Sequence, residues 1–194
     1  MPTMGNTLLE RLDGAADAAD AIERVARIDR GAALTLAAEI ARRCLDVAPP
    51  RPGEAEPTAR WDTLAASALA SAEEAFELAA RPLTGDRKKR LQELLVAAER
   101  HHDAIAEAAD AYDYDPGCLS MNVVCAVIAM ALGASDARGV VDRAVWLLGP
   151  NAGDRASFDS TVRDGLLGPV RAWERERAQR ARAMLSWMRD ALAR

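Results

Sequence analysis

The stretch YDYDPGCLSMNVVCAVIAMALGA, residues 112–134, joins an acidic, tyrosine-bearing turn directly to an uncharged apolar run. The run spans Met121 to Ala134, and its flank is uncharged back to Pro116. A membrane-spanning helix needs about 20 apolar residues. This run is shorter and is interrupted by Asn122 and Gly133. A helix that is apolar all round, but too short to span a bilayer, belongs inside a bundle. Residues 118–133 are therefore expected to form a central apolar helix, entered through the turn-forming pair Pro116–Gly117.

The rest of the chain agrees with a helical surround. Half of the 194 residues are hydrophobic, but aromatics are only 4%, and alanine dominates. Alanine is the strongest helix former, and strands favour the β-branched and aromatic residues that are scarce here. The predicted fold is all-α, an irregular bundle of seven to nine helices around residues 118–133.

Apolar residues at helical spacing mark the individual elements. Leu8, Leu9 and Leu12 open a short helix. Ala19, Ile22, Val25 and Ala26 stripe a second over 15–30, which Gly31 is expected to stop or kink. Leu34, Ala37, Ile40, Ala41 and Cys44 stripe a third. Thr58 is positioned to cap a helix with Trp61, Leu64, Ala65, Ala68, Leu69, Ala72 and Phe76 on one face, ended by Pro82 and Gly85. Asp86 is the expected cap of the next, whose stripe is Leu91, Leu94, Leu95, Ala98, His102, Ile105 and Ala109. Ser135 or Asp136 caps a helix bearing Val140, Val141 and Ala144, and a final helix runs from about Val170. APPRPGEAEP, residues 48–57, has four prolines in ten residues and cannot continue a helix. The organisation expected is one helical domain over 1–194, within which a hairpin at 1–47 joins the bundle at 58–194 through this linker.

The net charge is −5 and is unevenly placed. Residues 1–115 hold 14 Lys/Arg against 22 Asp/Glu, a net of −8, whereas 116–194 hold 11 against 8, a net of +3. The two lysines are Lys88 and Lys89, and every other such cation is Arg. An acidic chain repels phosphate and suits a basic protein partner. No nucleic acid and no membrane are expected among its partners. Three cysteines, Cys44, Cys118 and Cys125, form no C-x-x-C pair, which fits a reducing cytoplasm better than a disulfide framework. The N-terminus lacks a basic region followed by an apolar one, so no signal peptide is expected.

Several residue groups are candidates for chemistry. Glu99 and His102 make an E-x-x-H pair on one helix face, the presentation used in di-metal helical bundles. A second such pair cannot be built, because the two histidines, His101 and His102, are adjacent. Glu73, Glu74 and Glu77 are the carboxylates that a preceding helix offers. Asp110, Asp113 and Asp115 resemble a magnesium-binding cluster, but the spacing matches neither D-D-x-x-D nor an EF-hand. The plainer reading is a solvated helix end. Cys118 or Cys125 with His102 would pair a nucleophile with a base. Against that, Cys125 sits mid-way along the apolar run, where an inert buried thiol is expected. Asn122 needs a hydrogen-bond partner if buried. The segment at 171–194 holds seven Arg against three acids and reads mainly as the solvated face of an amphipathic helix. Phosphate-cradling glycine loops, G-x-S-x-G and H-E-x-x-H are absent from the sequence.

The C-terminal AWERERAQRARAML, residues 172–185, and the Cys44 to Pro57 region with its spaced prolines resemble α-helical immunity proteins of bacterial polymorphic toxin systems. The resemblance covers about the last quarter of the chain and a short N-terminal piece. It implies a small cytoplasmic binder that neutralises a toxin without chemistry of its own, and it carries over no functional residue.

The function expected is thus a non-enzymatic helical binding protein, of immunity or regulatory type, that engages a basic protein. The partner-binding residues expected are Asp110, Tyr112, Asp113, Tyr114 and Asp115, since tyrosine contributes contact area at low entropic cost. No catalytic residue, metal or cofactor is assigned. The alternative is a metal-dependent helical enzyme using Glu99, His102 and the Asp110/Asp113/Asp115 cluster. A homodimer formed through exposed apolar surface is a further expectation.

Overall fold

A computed structural model describes residues 15–52, 58–109, 115–148, 179–186 and 188–189. Its helices are α1 (Ala18–Ala26), α2 (Arg30–Val47), α3 (Ala59–Ala79), α4 (Gly85–Ala109), α5 (Pro116–Leu132) and α6 (Ala137–Ala144). A further helical segment covers 179–186 and 188–189. No strand occurs among the described residues. The fold is all-α, as composition predicts.

The apolar run is the centre of the bundle. α5 packs against α2, α3, α4 and α6, and its buried residues include Cys118, Met121, Val124, Val127, Ile128 and Ala131. Both ends are built by local chemistry. At the start, the Asp115 carboxylate accepts from Gly117 N at 2.8 Å, and Pro116 occupies the first turn, where its missing N–H has no consequence. At the finish, Gly133 takes φ +79°, and Gly133 N and Ala134 N donate to Met130 O and Ala129 O. This is a Schellman ending, which glycine adopts without the Cβ strain of other residues. Arg30 donates to Met130 O and Ala131 O at 3.2 and 3.0 Å, adding a cation at the negative end of the helix. No helix among the described residues is long and apolar enough to cross a membrane.

The surrounding helices correct several sequence expectations. Gly31 does not stop a helix. Asp29 accepts from Ala32 N and starts α2 there, so Gly31 lies in its first turn. A Cβ at Gly31 would come to 2.8 Å from Ala80 O, and the glycine lets α2 start against the end of α3. On α3 the buried stripe is Ala65, Ala68, Ala72, Ala75, Phe76 and Ala79, whereas Leu69 is 38% exposed. Close helix approach selects the alanines and leaves the larger leucine outside. α4 starts one residue before the expected cap: Thr84 Oγ1 accepts from Arg87 N, and Asp86 sits within the first turn.

Residues 48–52 lie on the bundle. Ala48, Pro50 and Pro52 are buried, and a Cβ on Gly117 would lie 3.0 Å from both Arg51 N and Arg51 C. His101 Nε2 donates to Pro50 O at 2.8 Å, which fixes the proton on that nitrogen. Arg180 is buried rather than solvated, donating to Val145 O at 3.0 Å beside the buried Ala181, Met184, Leu185 and Met188.

Candidate functional site

α4 has 25 residues, roughly 37 Å at 1.5 Å per residue. Most of its charges are sorted by sign along that length, Asp86, Glu93 and Arg100 being the exceptions. Arg87, Lys88, Lys89 and Arg90 follow one another near its start, while Glu99, Asp103 and Glu107 recur every fourth residue near its end. This order opposes what local stability prefers, because a helix N-terminus favours anions and a C-terminus favours cations. Most of these side chains therefore reinforce the macrodipole instead of cancelling it, with Asp86 in the first turn and the pairing of Arg90 by Glu74 and Glu93 acting the other way.

Glu99, Asp103 and Glu107 share one exposed face, with the Asp103 side chain 80% exposed. Glu99 and Glu107 enter no ion pair among the described residues, and Asp103 is met by its neighbour His102, Nδ1 to Oδ1 at 3.2 Å. The row runs beside α5: Glu99 and Asp103 act on the Cys125 thiol. Burial first, then Glu99, pushes that thiol up to about 12, against a lowering by Arg143 of α6.

Other glutamates are used differently. Glu73 forms a two-pronged ion pair with Arg42 of α2, at 2.9 and 2.8 Å, and Arg42 also lies 5.2 Å from the centre of the Phe76 ring. Glu74 does the same with Arg90 of α4, at 2.6 and 2.8 Å. Adjacent residues of α3 thus tie it to both neighbours. They are structural carboxylates, and Glu77 is exposed.

Of the partner-binding residues expected, Asp110, Tyr112, Asp113 and Tyr114 lie outside the described residues. Asp115 is 3% exposed and caps α5, so its carboxylate works in folding. Among the described residues no group of three or more His, Cys, Asp or Glu side chains could hold a metal ion. The His102 side chain is 12% exposed, beneath an exposed Glu99. Cys118 is fully buried and its thiol donates to His102 O at 3.7 Å. Burial also raises the Cys44 thiol far above its ordinary range. Asn122 is half-buried.

A cleft of about 70 Å³ lies between α3, α4 and α5, lined by Ser67, Ser71 and His101 over a floor of Met121, Val124 and Ile128. A small-molecule site is several times larger. This cleft suits a pair of waters or the tip of one side chain.

The every-fourth-residue spacing of Glu99, Asp103 and Glu107 is a signal present in the sequence itself. No protein-family model, no curated protein and no solved structure matches the chain.

Proposed function

We propose that this is a non-enzymatic, cytoplasmic helical binding protein of immunity or regulatory type, which engages a basic protein through the acidic end of its bundle. The observation that carries the proposal is the Glu99–Asp103–Glu107 row: exposed, held on a rigid helix, and leading directly into the Asp110–Asp115 stretch. Residues 99–114 hold five acidic side chains and one Arg. Exposed carboxylates held on a helix keep much of their field for an incoming partner, and such fields act mainly on association rate and specificity. The tyrosines of that stretch would supply contact area once charge has brought the surfaces together.

The test uses the full chain as bait in lysate of the source organism, beside a Glu99→Gln/Asp103→Asn/Glu107→Gln variant of equal helicity. The expected result is a basic protein recovered in stoichiometric amount at low salt, released at high salt, and lost from the variant. Equal recovery by both baits, or repeated recovery of nothing by folded wild type, would overturn the proposal.

A further inference from the structure

We infer that the opposite end of the bundle is a docking surface for an anionic phospholipid bilayer. Three turns meet there. Gly31 packs at Ala80, bringing the α1–α2 turn against the α3–α4 turn, and Arg30 reaches the final carbonyls of α5. Over residues 27–31 and 80–90 the chain carries seven Lys/Arg against two Asp, a local net of +5 in a protein whose total is −5.

Four of these cations, Arg27, Arg81, Lys88 and Lys89, are exposed and enter no ion pair among the described residues. The other three are engaged: Arg30 at α5, Arg87 on Pro82 O at 2.7 Å, and Arg90 with Glu74. In the same two turns lie two of the large hydrophobics that the fold leaves exposed, Ile28 at 51% and Leu83 at 45%. Arg87 closes the turn beneath Leu83, so that side chain is presented on a fixed loop.

Basic side chains ringing exposed aliphatic ones are the composition of interfacial membrane contacts. The mixture selects the partner. Exposed aliphatic side chains beside unpaired cations suit the interface of an anionic bilayer, which takes up both, better than an extended acidic peptide, which satisfies only the charge. The charge order of α4 adds orientation: its positive end faces the lipid, and the acidic row points into solvent. The sequence expectation is of no membrane partner; a local net of +5 at one end of an acidic protein proposes otherwise, through a surface contact that needs no apolar helix.

The experiment is co-sedimentation of the full chain with vesicles of phosphatidylcholine alone and of phosphatidylcholine with phosphatidylserine. Each cation near an anionic surface contributes about a fivefold gain in partitioning. Wild type is expected to bind the serine-containing vesicles, and to release as salt shortens the screening length. Lys88→Gln/Lys89→Gln is expected to lose about 25-fold in partitioning. Ile28→Ser/Leu83→Ser should weaken binding as well, while the Glu99→Gln/Asp103→Asn/Glu107→Gln variant retains it. Binding equal on both vesicle types, binding indifferent to the lysines, or binding to soluble polyglutamate but not to vesicles would each overturn the inference.

Discussion

Replacing Gly117 by alanine sets two physical effects of opposite sign against each other. Gly117 is the second residue of α5, and propensity alone makes Gly→Ala in a helix stabilising by up to about 1 kcal/mol. The added methyl, however, would sit inside the contact shell of the Arg51 carbonyl oxygen and 3.0 Å from Arg51 N and C. Those are backbone atoms, so no side chain can swing aside. Residues 50–52 must retreat, and overpacking of this kind costs about 1–3 kcal/mol. The retreat also stretches the 2.8 Å hydrogen bond from His101 to Pro50 O, which is worth about 1 kcal/mol. The balance is a loss of about 2 kcal/mol, with packing defeating propensity. Gly85→Ala is the control. It lies in the first turn of α4 with nothing within 4 Å of the new Cβ, and it should be neutral or mildly stabilising. Urea unfolding followed by far-ultraviolet circular dichroism measures both. A Gly117→Ala protein as stable as wild type would refute the docking of 48–52 over α5.

Asp17 caps α1 and accepts from Arg138 of α6 at 2.6 Å. Burial opposes its charge, but the Arg138 hydrogen bond, the backbone donors and the Arg138 charge outweigh it and hold the carboxyl below its ordinary value. A lowered folded pKa contributes stability that is present at neutral pH and lost as pH falls through the acidic range. Asn retains the cap and removes the ion pair. Asp17→Asn should cost about 1 kcal/mol at neutral pH, discounted because Arg138 is 42% exposed, and the gap to wild type should close in acid. A gap that widens in acid would contradict the assignment. Iodoacetamide on the native protein at mildly alkaline pH should leave Cys44, Cys118 and Cys125 unmodified by mass spectrometry, and should label all three after unfolding. Fast native labelling of Cys125 would show that its thiol is not raised as burial requires.

Much of the bundle was readable from the sequence because short-range signals and tertiary packing agree along most of it. Thr58, Pro116, Gly133 and Asp136 bound helices as their chemistry dictates, and the charge-free run between them is the centre. The misreadings fall where contacts distant in sequence decide. Gly31 looks like a stop until α3 is seen lying against it. Leu69 looks like core by size, yet α3 approaches its neighbours through alanines, a choice that depends on interhelical distance. Residues 48–52 end α2 as their prolines dictate, but their docking against Gly117 is a contact that no local pattern records. At the site, Asp115 reads as a contact residue in the sequence, and the structure uses its buried carboxylate to cap α5. Arg180 reads as a solvated cation, and its carbonyl partner lies 35 residues away in the chain.

The central claim is that opposite ends of one charge-sorted bundle do different work, with the acidic end recognising a basic protein. Its most direct test compares three baits in the same lysate at low salt: wild type, Glu99→Gln/Asp103→Asn/Glu107→Gln, and Lys88→Gln/Lys89→Gln. The expected result is that the basic partner binds wild type and the lysine variant equally and is lost from the acidic-row variant. Retention by the acidic-row variant, or loss from the lysine variant alone, would contradict the claim.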